Sequence, residues 1–208
     1  MTTIPELYGN LYRHYGPQHW WPCRSGRRWE IVAGAVLTQN CAWRNVEEAL
    51  AQLEQTALDT PESVLAAPPE TVEEAVRPAG FYRQKTRTLR TLAEFFRRYE
   101  AEFAASRDSW ALRKRLLAVR GVGPETADSI LLYAFGQPLF VIDAYTRRVA
   151  ERHLGLDGRL SYEKLQRLFM AALPPEVALY QEYHALLVQW CKDSCRKAGC
   201  GAMCRELC

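Results

Sequence analysis

Four cysteines, Cys195, Cys200, Cys204 and Cys208, are spaced along the last fourteen residues, and Cys191 lies just upstream, so five of the seven cysteines fall within the final eighteen positions. Such density at a chain end constrains the fold, because something must bring the thiols together. Intervals of three or four residues can place four thiolates around an iron–sulfur cluster or a zinc ion. Disulfides are the rival reading. Against them, the loops are short, the count is odd and the N-terminus carries no export signal. The spacing favours a metal centre and leaves iron–sulfur and zinc both open.

The 208 residues, 48% of them hydrophobic, can bury one large core or two modest ones. No apolar run reaches membrane-spanning length, which predicts a soluble chain without a membrane partner. Apolar spacing and Pro, Gly and Asp breaks predict helices over 29–38, 45–53, 61–67, 72–76, 85–99, 110–119, 124–135, 143–154, 162–172 and 177–190. No convincing strand alternation appears, so the fold class is all-α. Net charge is only +3, but cations gather in three groups: Arg24, Arg27 and Arg28; Arg83, Lys85, Arg87 and Arg90; Arg113, Lys114, Arg115 and Arg120. A single basic run is usually a solvated helix face. Three of them on a nearly neutral chain suit local contacts with phosphates.

The most specific interior segment is Leu116-Leu-Ala-Val-Arg-Gly121-Val-Gly123-Pro-Glu-Thr-Ala127. It predicts a helix, a turn with two glycines, and a second helix opened by Pro124, where a missing N–H costs nothing. Glycines allow positive φ and close approach of a partner, and the new helix start presents amides to an anion. An ordinary helix–turn–helix corner explains the segment about equally well when it is taken alone.

Three further segments change that balance. Val141-Ile-Asp143-Ala-Tyr-Thr-Arg147 follows the hairpin, Leu37-Thr-Gln39-Asn40 closes an early helix, and Gly80-Phe-Tyr-Arg-Gln-Lys85 precedes a basic one. With the cysteine loop, this order resembles the helix–hairpin–helix DNA glycosylases of the endonuclease III type, from about Trp20 to Cys208. The resemblance implies a two-lobed helical fold. A six-helix barrel module would occupy 23–134. The segments 1–22 and 135–208 would make the second lobe, with the cysteine loop at 191–208. Double-stranded DNA containing a damaged base would lie between them, bound by a monomer in a reducing cytoplasm, at a bacterial or archaeal nucleoid.

The resemblance also assigns roles. Asp143 would serve the glycosidic bond, since a carboxylate stabilises an oxocarbenium-like sugar and can orient water. An Asp at a helix start is also an ordinary N-cap, and the two roles are compatible. Bifunctional relatives carry a lysine two residues after the second hairpin glycine, whereas this chain has Glu125 there. A carboxylate cannot form the Schiff base that leads to strand cleavage, so a monofunctional enzyme is expected, with Glu125 at the rim of the site. Trp20-Trp21-Pro22, Trp43 and Tyr145 resemble the base pocket of the 3-methyladenine glycosylase branch, and aromatic faces suit a cationic alkylated purine. As bulky apolar groups, these tryptophans would otherwise be core residues.

Gln39 and Asn40 hold the wedge position that fills the gap left by a flipped base. Lys85, Arg120, Gly121, Gly123 and Thr126 would contact DNA, and the carbonyls of Leu117, Val119 and Val122 would hold Na+ or K+. Alignment on Tyr183-His184-Ala-Leu-Leu-Val188 places the first ligand of a [4Fe-4S] cluster at Cys195, followed by Cys200, Cys204 and Cys208, with Cys191 as the alternate. The four, three and three intervening residues depart from the family's usual spacing. Oxidised pyrimidines or mismatches with weak strand cleavage, a non-catalytic DNA-binding module and a redox or zinc scaffold remain the alternatives.

Overall fold

The computed structural model describes residues 2–21, 23 and 25–208. The chain forms two compact units, Cys23–Gln137 and the pair of segments Met1–Pro22 and Pro138–Cys208.

The Cys23–Gln137 unit is built around α2 (Arg28–Leu37), whose Val32, Ala33, Ala35, Val36 and Leu37 are all buried. Around it come α3 (Trp43–Gln55), α4 (Pro61–Ala66), α5 (Pro69–Val76), a 3₁₀ turn (Arg77–Ala79) and the long α6 (Tyr82–Ala105). α7 (Ser109–Leu117) and α8 (Pro124–Ser129) flank the glycine turn, and a π-helical segment follows at Ile130–Ala134. Local chemistry sets the helix ends. Thr60 and Ser63 form a reciprocal cap on α4, and Asp108 accepts from the Ala111 amide at the start of α7. The other end of α4 is closed by Arg90, which donates to the carbonyls of Val64 at 2.7 Å and Ala67 at 2.8 Å.

The second unit contains α1 (Ile4–Tyr15), α9 (Ala144–His153), α10 (Tyr162–Ala172), α11 (Val177–Asp193) and α12 (Met203–Leu207). α11 forms its centre. Tyr180, Tyr183, Leu186, Leu187 and Trp190 are fully buried, and Phe140 stacks on Phe169 with centroids 4.8 Å apart. Helix α1 was not anticipated, although the Thr3–Glu6 capping box and Pro5 announce it. The all-helical expectation holds for the body of the protein. Among the described residues the exception is a small antiparallel hairpin, β1 (Cys195–Arg196) with β2 (Gly199–Cys200), pairing Cys195 with Cys200. No helix among the described residues is long and apolar enough to cross a membrane.

Candidate functional site

In the Cys23–Gln137 unit, side chains brace three turns. Lys85 donates to the carbonyls of Leu37 at 2.8 Å and Ala79 at 2.7 Å, joining the end of α2 to the 3₁₀ turn before α6. It is 2% exposed, and burial lowers its pKa. The phosphate contact expected of Lys85 is therefore corrected: its ammonium faces inward and satisfies two carbonyls. Gln39 Nε2 donates to the Gly121 carbonyl at 3.2 Å and to Thr126 Oγ1 at 2.9 Å, tying the end of α2 to the hairpin. Thr126 is buried in that contact. Asn40 is exposed, in the left-handed region at φ 49°, which Asn tolerates well.

The hairpin glycines differ in what they do. Gly121 has φ 91°, and a Cβ there would stand 2.2 Å from Thr88 Oγ1, so both backbone and space demand glycine. Gly123 has the extended conformation of an N-cap, and no atom lies near its missing Cβ, so its bare backbone faces open space at the start of α8. Arg120 and Glu125 are exposed on either side. Of the carbonyls expected to hold an ion, that of Val119 accepts from the Val122 amide at 3.1 Å and keeps a second lone pair.

Sequence reasoning passed over Phe81. It is 68% exposed, with φ 46°, and follows Gly80 at φ 69°. A large apolar side chain held out in a sparsely populated backbone region is a structural outlier that points to a function. An aromatic residue between a glycine and a polar helix was the available signal. Trp43, the first residue of α3, is half-buried.

The basic groups are only partly available to phosphates. Arg113 is buried with its Nε 2.7 Å from Asp128, Arg90 caps α4, and Arg27 and Arg115 pair with Asp59 and Glu102. Arg87, Lys114 and Arg120 are exposed. Arg24 lies outside the described residues, as does Pro22.

In the second unit, Asp143 caps α9. Its Oδ1 accepts from the Thr146 amide at 2.7 Å, and Oδ2 lies 3.5 Å from His184 Nε2. The side chain is only 12% exposed. Burial pushes the carboxyl pKa up, but His184 and the Thr146 bonds outweigh it and hold the group below the usual range. Asp143 is thus a directed, ionised carboxylate. Trp20 and Trp21 are half-buried neighbours with centroids 5.6 Å apart, and Lys192 Nζ lies 5.7 Å from the Trp20 ring. On α9, the Tyr145 ring lies 5.4 Å from the Arg148 guanidinium carbon.

The cysteine loop forms a donor cage. The sulfurs of Cys195, Cys200 and Cys204 and His153 Nε2 all lie within 4.8 Å of one another. Cys191 Sγ approaches the Tyr145 carbonyl at 3.8 Å, and Cys208 stands outside the compact group. A hydrogen bond from Cys191 and the nearby His153 ring hold the Cys195 thiol well below its ordinary pKa, whereas burial raises Cys204 to about 11. Soft sulfur donors with one imidazole fit a thiophilic metal and iron–sulfur chemistry. His153 was missed because 42 positions separate it from Cys195.

Residues 33–175 match the profile of the HhH-GPD superfamily base excision DNA repair proteins, and the chain belongs to that superfamily. Within it, the chain is a DNA glycosylase. It is 40% identical over 198 residues to the putative DNA repair glycosylase of Methanocaldococcus jannaschii, covering 93% of this chain and 89% of that protein. It is 29% identical to the endonuclease III of Sulfolobus acidocaldarius over 79% of this chain and 73% of the relative. The Helicobacter pylori 3-methyladenine DNA glycosylase MagIII, solved with 1,N6-ethenoadenine, superposes with a TM-score of 0.77 at 25% identity, over 92% of this chain and 98% of that one. An endonuclease III–DNA complex shares the fold with a TM-score of 0.81 at 22% identity, over 100% and 96% of the two chains.

Proposed function

We propose that this glycosylase is monofunctional, flips an alkylated purine such as 3-methyladenine out of double-stranded DNA and hydrolyses its glycosidic bond with water. The observation that carries this reading is the chemistry of two carboxylates: Asp143, ionised and aimed by its cap, and Glu125 where a Schiff-base lysine would stand. Asp143 stabilises the cationic sugar and orients the water. An alkylated purine is a good leaving group and needs little acid assistance. In this reading the half-buried Trp20 and Trp21 and the Tyr145 ring on α9 are the aromatic groups that meet the flipped base.

Product analysis on a panel of lesion duplexes tests the substrate. Release of 3-methyladenine at least about tenfold faster than release of oxidised pyrimidines or mismatched bases is expected, a preference within the range of hydrophobic-pocket discrimination. Preference for an oxidised pyrimidine overturns the alkylpurine reading.

In the same reading, Arg120, Gly121 and Gly123 meet the DNA backbone, and the carbonyls of Leu117, Val119 and Val122 hold Na+ or K+ against it. Gln39 and Thr126 set the hairpin, while Asn40 and Phe81 enter the duplex. Phe81 stacks where the flipped base leaves a gap, with stacking of about 1–3 kcal/mol per base as the scale. Phe81→Ala is expected to slow excision from a duplex roughly tenfold or more. Excision from single-stranded DNA, which has no gap to fill, should change little. Equal slowing on both substrates would remove Phe81 from this role.

The cysteine loop holds a [4Fe-4S] cluster in this reading, which shapes the loop and takes no part in hydrolysis. The enzyme acts as a monomer in a reducing cytoplasm, at the nucleoid.

A further inference from the structure

His153 ends α9 with its imidazole turned into the cysteine hairpin. Its Nε2 lies 3.3 Å from Cys195 Sγ and 3.5 Å from Cys200 Sγ. Two donors on one tetrahedral ion, with a nitrogen bond of about 2.05 Å and a sulfur bond of about 2.3 Å, stand roughly 3.5 Å apart. The nitrogen therefore sits at the distance of a fellow ligand from two sulfurs at once. Cys204 completes the group of four.

Independent contacts fix this arrangement. The His153 ring packs on the buried Trp190 indole, with centroids 4.6 Å apart. Five residues earlier on α9, Arg148 donates to the Cys195 carbonyl at 3.0 Å. Arg152 donates to the carbonyls of Arg196 at 2.8 Å and Lys197 at 3.2 Å. The end of α9 and the hairpin are thus held together by bonds that do not involve the cage itself. The C-terminal residue is held elsewhere, its backbone carbonyl accepting from Thr2 Oγ1 and that of Leu207 accepting from Asn10 Nδ2.

We propose that His153 is the fourth donor of the metal centre, with Cys195, Cys200 and Cys204, and that Cys191 and Cys208 stand outside the ligand set. This rests on the reading that the loop holds a thiophilic metal. The shared chemistry is three thiolates and one neutral imidazole. Their spacing in this structure is that of donors on a single ion such as zinc, and the same four donors would have to move apart to hold an iron–sulfur cluster. Exchanging a thiolate for an imidazole removes one negative charge, so an iron–sulfur cluster held this way has a higher reduction potential than one held by four cysteines.

The test compares intact, anaerobically purified protein with four variants: His153→Phe, His153→Cys, Cys191→Ala and Cys208→Ala. Iron, zinc and acid-labile sulfide per chain identify the metal, and release to a chelator measures how firmly it is held. His153→Phe keeps a ring against Trp190 but offers no donor. It is expected to bind metal about tenfold or more weakly with unchanged helix content, while His153→Cys restores retention. If the centre is iron–sulfur, His153→Cys should also lower its midpoint potential. Cys191→Ala and Cys208→Ala should keep wild-type metal content and release rates.

Metal loss in Cys208→Ala with full retention in His153→Phe overturns the ligand assignment and leaves the metal centre standing. Metal retained in full by every single variant overturns it as well. Absence of iron and zinc from the unaltered protein removes the metal centre itself.

Discussion

Asp143→Asn is expected to lower single-turnover base excision roughly a thousandfold, about 4 kcal/mol of lost transition-state stabilisation, while leaving DNA affinity within about twofold. Asparagine is an equally good N-cap, so α9 should keep its start and the protein its fold. In the proposed mechanism, what disappears is the negative charge that stabilises the developing sugar cation. The pH dependence follows from the depressed carboxyl pKa. A carboxyl whose folded pKa lies below its unfolded value adds stability that is fully present above the unfolded pKa and is lost as pH falls through the folded one. Asp143 should therefore stay ionised throughout the neutral range, and any acid limb it gives the excision rate should lie below the ordinary carboxylate range. Asp143→Asn should flatten the acid side of the stability curve. Excision at the wild-type rate would show that another group serves the glycosidic bond.

Borohydride should trap no covalent adduct between the unmodified enzyme and its DNA. A Schiff base requires an amine at the sugar carbon, and Glu125 presents a carboxylate at the position where the sequence resemblance calls for a Schiff-base lysine. The product should be an intact strand with an abasic site that breaks only on hot alkali. Glu125 also sits in the first turn of α8, where the helix dipole favours its charge, so Glu125→Lys should cost about 0.3–1 kcal/mol of stability. That variant should gain detectable trapping if the new amine reaches the sugar. Efficient trapping by the unmodified protein would mean that another amine attacks the abasic site, and the monofunctional reading would fail.

Much of this architecture was legible in the chain because its signals are local. The helices α2 to α11 follow apolar spacing closed by Pro, Gly and capping residues, and each can be read within one window of sequence. The hairpin motif is contiguous for the same reason. The missed contacts are those made across long separations. Nothing near His153 announces Cys195, and Asp143 gives no local hint of His184 on α11. The β1–β2 pair is too short to show alternation. Lys85 shows a different difficulty: a basic residue opening a polar helix reads as a surface cation. Only the three-dimensional placement of the Leu37 and Ala79 carbonyls turns it inward.

That inward turn bears on how the protein responds to ionic strength. When a cation neutralises a DNA phosphate it displaces a condensed counterion, and each such contact adds about 0.9 to the logarithmic salt slope of binding. Lys85, Arg90 and Arg113 are already bonded to protein carbonyls or to a buried carboxylate. If they keep these partners when DNA binds, they displace no counterions. The salt sensitivity of this glycosylase should then be set by fewer cations than its three arginine- and lysine-rich segments contain, because part of its basic sequence closes helices and holds turns.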